Sequence, residues 1–143
     1  SKQLDFDLFL PAIGIGLLSV AVLNLNNMRD EASDRKSGKN TIVVQMGGEK
    51  AKKYHYFLII TAMVVFVVFA LLNNFNIDQY LFLVADYPLV KHLDTVKKNT
   101  NPKELDPELK KVALSTFLLS VLFSLCMIYF FSDVIVNTFM GGR

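Results

Sequence analysis

LFLPAIGIGLLSVAVLNLNNMRDEASDRKSGKNT, residues 8–41, joins two kinds of chemistry in one run. Leu8 to Met28 is 21 residues without a charge. As a helix rising about 1.5 Å per residue, it can cross a hydrocarbon core of roughly 30 Å. After Met28 the run turns polar. Asp30 and Asp34 are four apart and share one helix face, and Asn26, four before Asp30, lies on the same stripe. Arg29, Arg35, Lys36 and Lys39 crowd around them. Oxygen ligands for Mg²⁺ beside donors for phosphate are what a diphosphate site at a membrane surface requires.

The rest of the chain repeats the apolar theme. Of its 143 residues 52% are hydrophobic, and mean hydropathy is +0.38, which excludes an ordinary soluble domain. Tyr56 to Ile77 is 22 residues without a charge and Val112 to Ser132 is 21. A shorter run, Gln79 to Val90, carries Asp86. The expected fold is therefore all-α, a polytopic transmembrane helical bundle with about four spans, over residues 8–28, 56–74, 77–93 and 112–132. No basic n-region precedes the first run, and Asp5 and Asp7 flank it, unlike a signal peptide. The lone Cys126 excludes an internal disulfide and a Cys-based zinc site.

Charge distribution orients the spans. Thirteen of the fifteen Lys and Arg lie in Arg29 to Lys53 and Lys91 to Lys111. Basic connections stay cytoplasmic, so the path reads out, in, out, in, out, and the shorter run must cross as well.

Local signals fill in the connections. The first helix is expected from about Phe9 to Met28 with continuation to Asp34, and Pro11 is tolerated in its opening turn. Gly14, Gly16, Ser19 and Ala21 are small enough for close helix packing. Ser37 to Gly48 reads as a polar connection, and Ser37 to Lys53 is expected to face the cytoplasm and become more ordered over bound diphosphate, with Gly38 allowing close backbone approach. Asn73 to Asn76 reads as a turn, and Asp106 as the N-cap of the last helix. His55 and His92 read as separate surface residues at the interface. Asp86, ionisable within a span, is a functional candidate facing a cavity or pairing with Lys91 or Lys50.

A bare pair of Asp at helical spacing is most often a solvated helix end. Three features argue otherwise here. Asn26 and Asn27 are polar while still inside the apolar run, where unpaired amides are costly. Arg29 and Arg35 can grip phosphate oxygens bidentately. Gly38-Lys39 follows at once with another cation.

The whole string, Asn26-Asn27-x-Arg29-Asp30-x-x-x-Asp34-x-x-x-Gly38-Lys39-x-Thr41, resembles the second Asp-rich motif of the UbiA superfamily of intramembrane aromatic prenyltransferases. Asn40 to Gly47 is similar to the stretch that follows that motif, and Asp86-Tyr87-Pro88-Leu89-Val90 resembles the Leu-Pro-Leu segment of the penultimate helix. The Asn-Asn-x-Arg-Asp form looks most like the branch that acts on 1,4-dihydroxy-2-naphthoate in menaquinone synthesis. The resemblance implies that residues 1–143 are the C-terminal half of a UbiA-type domain. The missing N-terminal half of the same enzyme would carry the first Asp-rich motif.

The same resemblance implies the chemistry. Asp30 and Asp34 would be catalytic and would hold Mg²⁺. Arg29, Arg35, Lys39, Asn26 and Asn27 would bind the diphosphate. The partners would be a polyprenyl diphosphate, an aromatic acceptor (1,4-dihydroxy-2-naphthoate) and the lipid bilayer, with no nucleic acid. The expected place is the bacterial inner membrane, active-site loops in the cytoplasm, and the chain alone is expected to be inactive. The alternatives are a prenyltransferase for another aromatic or lipid acceptor, and a non-catalytic membrane fragment whose paired Asp are only a charged helix end.

Overall fold

The computed structural model describes residues 9–140, with residues 133–140 as helix backbone only; Lys2, Asp5, Asp7, Leu8 and Arg143 fall outside the described residues. Five α-helices follow one another: α1 (Phe9–Lys36), α2 (Ile42–Met46), α3 (Gly48–Leu72), α4 (Asp86–Lys98) and α5 (Asp106–Met140). Two 3₁₀ segments, Ile77–Ala85 and Pro102–Leu105, lead into α4 and α5. Among the described residues the secondary structure is helical throughout.

Three helical stretches, Phe9–Lys36, Gly48–Leu72 and Pro102–Ser132, are long and apolar enough to cross a membrane. Each keeps its backbone hydrogen bonds internal, as a lipid environment demands. Much of their apolar surface points outward: Leu23, Phe57, Leu71, Leu114, Phe117 and Ile128 are all exposed. In water such faces would drive aggregation, whereas acyl chains solvate them. The chain is an integral membrane protein by this physical reading.

The fourth expected span differs from the others. Ile77–Ala85 is a 3₁₀ helix, and only from Asp86 does the chain wind as an α-helix. Lys91, Asp94, Lys97 and Lys98 make the second half polar, so this segment lacks the long apolar window of the other three. Its buried face, Gln79, Phe82 and Ala85 continuing into Asp86, Leu89, His92 and Val96, still forms one stripe. The 3₁₀ segment and α4 both pack against α5.

Packing explains the rest. α1 lies mainly along α3. Gly14, Leu18, Ala21, Leu25 and Met28 of α1 face Ala51, Leu58, Ile59, Ala62 and Phe66 of α3 at helical spacing. Far from the Asp motif, Phe123 sits amid Phe66, Phe69 and Phe82 at ring-centroid distances of 4.9, 5.5 and 5.4 Å. Edge-to-face aromatic pairs add roughly 0.5–1.5 kcal/mol each beyond burial. Phe66, Phe69 and Phe123 lie in the core, whereas Phe117 and Phe131 are exposed.

The turn expected at Asn73 to Asn76 is present. Asn73 Nδ2 donates to Phe69 O at 2.9 Å, and Asn74 adopts a positive φ of 52°. Asp106 corrects an expectation. Its backbone is already helical (φ −57°, ψ −46°), so it begins α5 as a helical residue, and its side chain leaves to meet α1.

Gly14 shows how tight the α1–α3 contact is. A Cβ there would lie 2.6 Å from Phe66 Cε2, whereas nothing lies within 4 Å at Gly16. Phe66 cannot swing aside because Phe82 and Phe123 bracket it. Gly14→Ala is expected to destabilise by about 1–2 kcal/mol through overpacking, and Gly16→Ala to be tolerated. Unfolding of the two variants in detergent, compared side by side, checks this.

Candidate functional site

α1 does not stop where its apolar run stops. It stays helical through Lys36, which carries Arg29, Asp30 and Asp34 beyond the membrane-crossing part on one rigid rod. Glu31 and Arg35 support these last turns by an i,i+4 ion pair of 3.0 Å. The helix then ends in a Schellman arrangement. Lys39 N–H donates to Asp34 O at 2.9 Å, and Gly38, at φ +75°, donates to Arg35 O at 3.4 Å. Gly38 therefore serves as the helix terminator; its positive φ turns the chain here, a role different from the phosphate approach expected of it.

The connection after it is more built than the sequence suggested. Thr41 Oγ1 accepts from Val44 N–H at 3.2 Å and caps α2, whose Val43 is fully buried. The deformable part shrinks to the few residues between Gly38 and Thr41.

The predicted site residues fall into two groups. In the first, the Arg29 guanidinium grips Asp30 through Nε and Nη2, both at 2.9 Å. Nη2 also donates to Asn26 Oδ1 at 3.0 Å, and Nη1 to Asp106 Oδ1 at 2.6 Å. The hydrogen bond and charge of Arg29 hold the Asp30 carboxyl below its ordinary range. In the second group, one turn on, Asp34 is 5% exposed and accepts from Lys39 Nζ at 3.0 Å. Arg35 belongs to neither; it donates to Glu31 Oε1 and, at 3.3 Å, to Val44 O. Asn27 is half-buried, and its side chain makes no hydrogen bond among the described residues.

A cleft of about 500 Å³ opens beside the first group, lined by Arg29, Asp30 and Ser33 of α1 and by Asn101, Lys103 and Asp106 from the other wall. Asn101 shapes that wall, since its Oδ1 accepts from Lys103 N–H at 3.3 Å and starts the 3₁₀ turn. The sequence marks Asp106 as a helix start, but nothing local reveals that it, Asn101 and Lys103 face α1.

One other expectation is overturned, and for Asp86 one of two alternatives falls away. His55 and His92, read as separate surface residues, are both fully buried and meet at 2.8 Å between their Nε2 atoms. His92 Nδ1 lies 2.6 Å from Glu108 Oε2, and Lys111 pairs with the other oxygen of Glu108. Both rings turn inward on the buried stripes of α3 and α4. Asp86 is 9% exposed, and its Oδ1 has no partner among the described residues, so pairing with Lys91 or Lys50 is absent. Lys91 instead lies over the Tyr87 ring.

A family model described as the UbiA prenyltransferase family matches residues 1–105. Two curated relatives are both named 1,4-dihydroxy-2-naphthoate octaprenyltransferase. The one from Haemophilus influenzae is 40% identical over 125 residues, covering 87% of this chain and 41% of the relative. The one from Escherichia coli K12 is 40% identical over 118 residues, covering 82% and 38%. The chain thus spans about two fifths of the length of the curated relatives it matches. No solved structure matches it significantly.

The terminator role of Gly38 has a measurable consequence. A β-carbon in the left-handed region costs about 1 kcal/mol, and Asn tolerates it better than Ala. Gly38→Ala is expected to lower stability by about that amount and Gly38→Asn by less, read from unfolding in detergent.

Proposed function

We propose that this chain, which belongs to the UbiA prenyltransferase family, supplies one side of the active site of a longer, Mg²⁺-dependent membrane enzyme. That enzyme transfers a polyprenyl chain from its diphosphate to 1,4-dihydroxy-2-naphthoate. The acceptor follows the names of the two relatives. The observation that carries the reading is the end of α1, where the Asp30 carboxylate and the Arg29 fork stand beside an open cleft, with Asp34 one turn on, at the foot of an apolar bundle.

The donor set suits a shared metal site. Mg²⁺ usually takes one or two protein carboxylates together with phosphate oxygens and water. Asp30 and Asp34 supply such oxygens. Among the described residues no third Asp, Glu, His or Cys completes a cluster with them. A further acidic motif from outside this chain is the natural complement. When bound, the ion neutralises the diphosphate and makes it a better leaving group.

This chain's own groups do the remainder. Arg29 presents a planar fork suited to phosphate oxygens, and Lys39 adds a mobile point charge. Both are held by carboxylates in the absence of substrate, so substrate phosphate and metal would exchange with those pairs. Charge building on the leaving diphosphate as the allylic C–O bond breaks is then met by preorganised cations. The electron-rich acceptor ring attacks the allylic carbon and loses its carboxylate, which restores aromaticity. The outward apolar faces of the bundle provide the phase in which the prenyl tail stays dissolved.

In this reading α1 ends at the cytoplasmic surface of a bacterial inner membrane. The basic stretches Arg29 to Lys53 and Lys91 to Lys111 face the same side, and the segment 77–93 crosses with the three longer helices.

Asp30→Ala and Asp34→Ala in the whole gene product are expected to cut prenyl transfer at least 100-fold. Glu31→Ala is expected to stay within about fivefold, because Glu31 points off the stripe to Arg35. Equal loss in all three would mean that bulk charge matters and geometry does not. A second measurement tests orientation. A cysteine placed at Ser37 or Asn40 is expected to react with impermeant reagents from the cytoplasmic side of sealed vesicles, more slowly once Mg²⁺ and a prenyl diphosphate are added. Labelling from the opposite side alone would overturn the topology.

A further inference from the structure

The first turn of α5 carries two carboxylates with opposite destinations. Asp106 and Glu108 are two residues apart, about 200° round a helix. Asp106 reaches α1 and accepts from Arg29 Nη1 at 2.6 Å. Glu108 reaches α4, where His92 Nδ1 lies at 2.6 Å. The family match ends at residue 105, so both lie beyond it.

The two bonds have different environments. The Asp106 side chain is 68% exposed, and an exposed ion pair holds geometry weakly on its own. The Glu108 side chain is 7% exposed and accepts hydrogen bonds from both His92 and Lys111. A carboxylate only accepts, so His92 carries its proton on Nδ1. In the neutral ring Nε2 then accepts, and His55 donates to it from its own Nε2. The chain Glu108–His92–His55 thus pins the start of α5 to α4 and α3 with buried hydrogen bonds, and Lys111 balances the charge.

We propose that Glu108, acting through His92 and His55, is a positioning residue for the diphosphate site. It fixes the first turn of α5 so that Asp106 holds one edge of the Arg29 guanidinium at the cleft wall. Without Asp106, Arg29 keeps its bonds to Asp30 and Asn26, but its Nη1 edge loses its partner at the cleft wall and the fork is no longer held from both sides. This inference rests on the diphosphate reading above.

The test uses the whole gene product and a polyprenyl diphosphate. Asp106→Ala and Glu108→Ala are each expected to raise KM for the diphosphate about 5–20-fold with kcat within about twofold. The double variant is expected to be no worse than Asp106→Ala alone. Glu108→Gln, which still accepts from His92, is expected to retain most of the native KM. If Glu108→Ala does not fold, Glu108→Asp, one methylene short of His92, takes its place with the same expected shift. Additive losses in the double variant, or an unchanged KM in Glu108→Ala or its substitute Glu108→Asp, would overturn the proposal.

A readout without turnover separates this from the function itself. Spin labels at Ser33→Cys and Lys103→Cys, in a Cys126→Ser background, span the cleft. Their distance distribution is expected to broaden in Glu108→Ala or Glu108→Asp; an unchanged distribution counts against the relay. Full activity in Asp30→Ala would instead sink the diphosphate reading, whatever the labels report.

Discussion

The site depends on one helix continuing past the point where its hydrophobic reason for existing ends. Within the apolar run, α1 must be helical because lipid offers its backbone no partner. Beyond Met28 water could compete for those groups. The Glu31–Arg35 pair, the Ser33 and Ser37 hydroxyls turned back onto Asp30 O and Asp34 O, and the Schellman end at Gly38 keep the last turns wound. Asp30 and Asp34 then stand one turn apart on a rod whose far end is locked to α3 by Gly14 against Phe66. A frayed end would leave their separation undefined, and a metal–diphosphate site needs it fixed.

The two ends of the bundle are built on different principles. The Phe123 cluster packs by shape and area, and its pieces are interchangeable in kind. The motif end is held by directed bonds, each with a specified partner. Asn24 illustrates the boundary: it is 4% exposed and donates to Ala51 O at 3.1 Å, tying α1 to α3 just below the motif. Directed bonds at low dielectric are costly when broken and rigid when complete. That makes them suited to holding charged groups beside a cleft in a loose lipid environment.

In the substrate-free protein, every carboxylate of the motif has a cation on it. Asp30 holds Arg29 and Asp34 holds Lys39, so neither charge is stranded near the membrane surface. On the function proposed above, ligand binding would be an exchange of partners, with phosphate taking the cations as metal takes the carboxylates. Such an exchange avoids separating bare charges, which would be prohibitive close to hydrocarbon.

The sequence by itself determined the membrane-spanning character, the helical bundle and the stripe of Asn26, Asp30 and Asp34. These follow from hydropathy and the 3.6-residue period, which are properties of neighbouring residues. The tertiary structure alone decided which distant groups meet them: Asp106 and Asn101 across the cleft, and His55, His92 and Glu108 in the buried network. Nothing within a few residues of His55 marks it as a partner of His92, 37 positions on, because the direction a ring points is set by how α3 and α4 rotate against each other. The segment after Ile77 shows the same limit. Its apolar content was plain, but the packing of one stripe against α5, with polar residues crowding its second half, decided that it would wind first as 3₁₀ and then as α-helix.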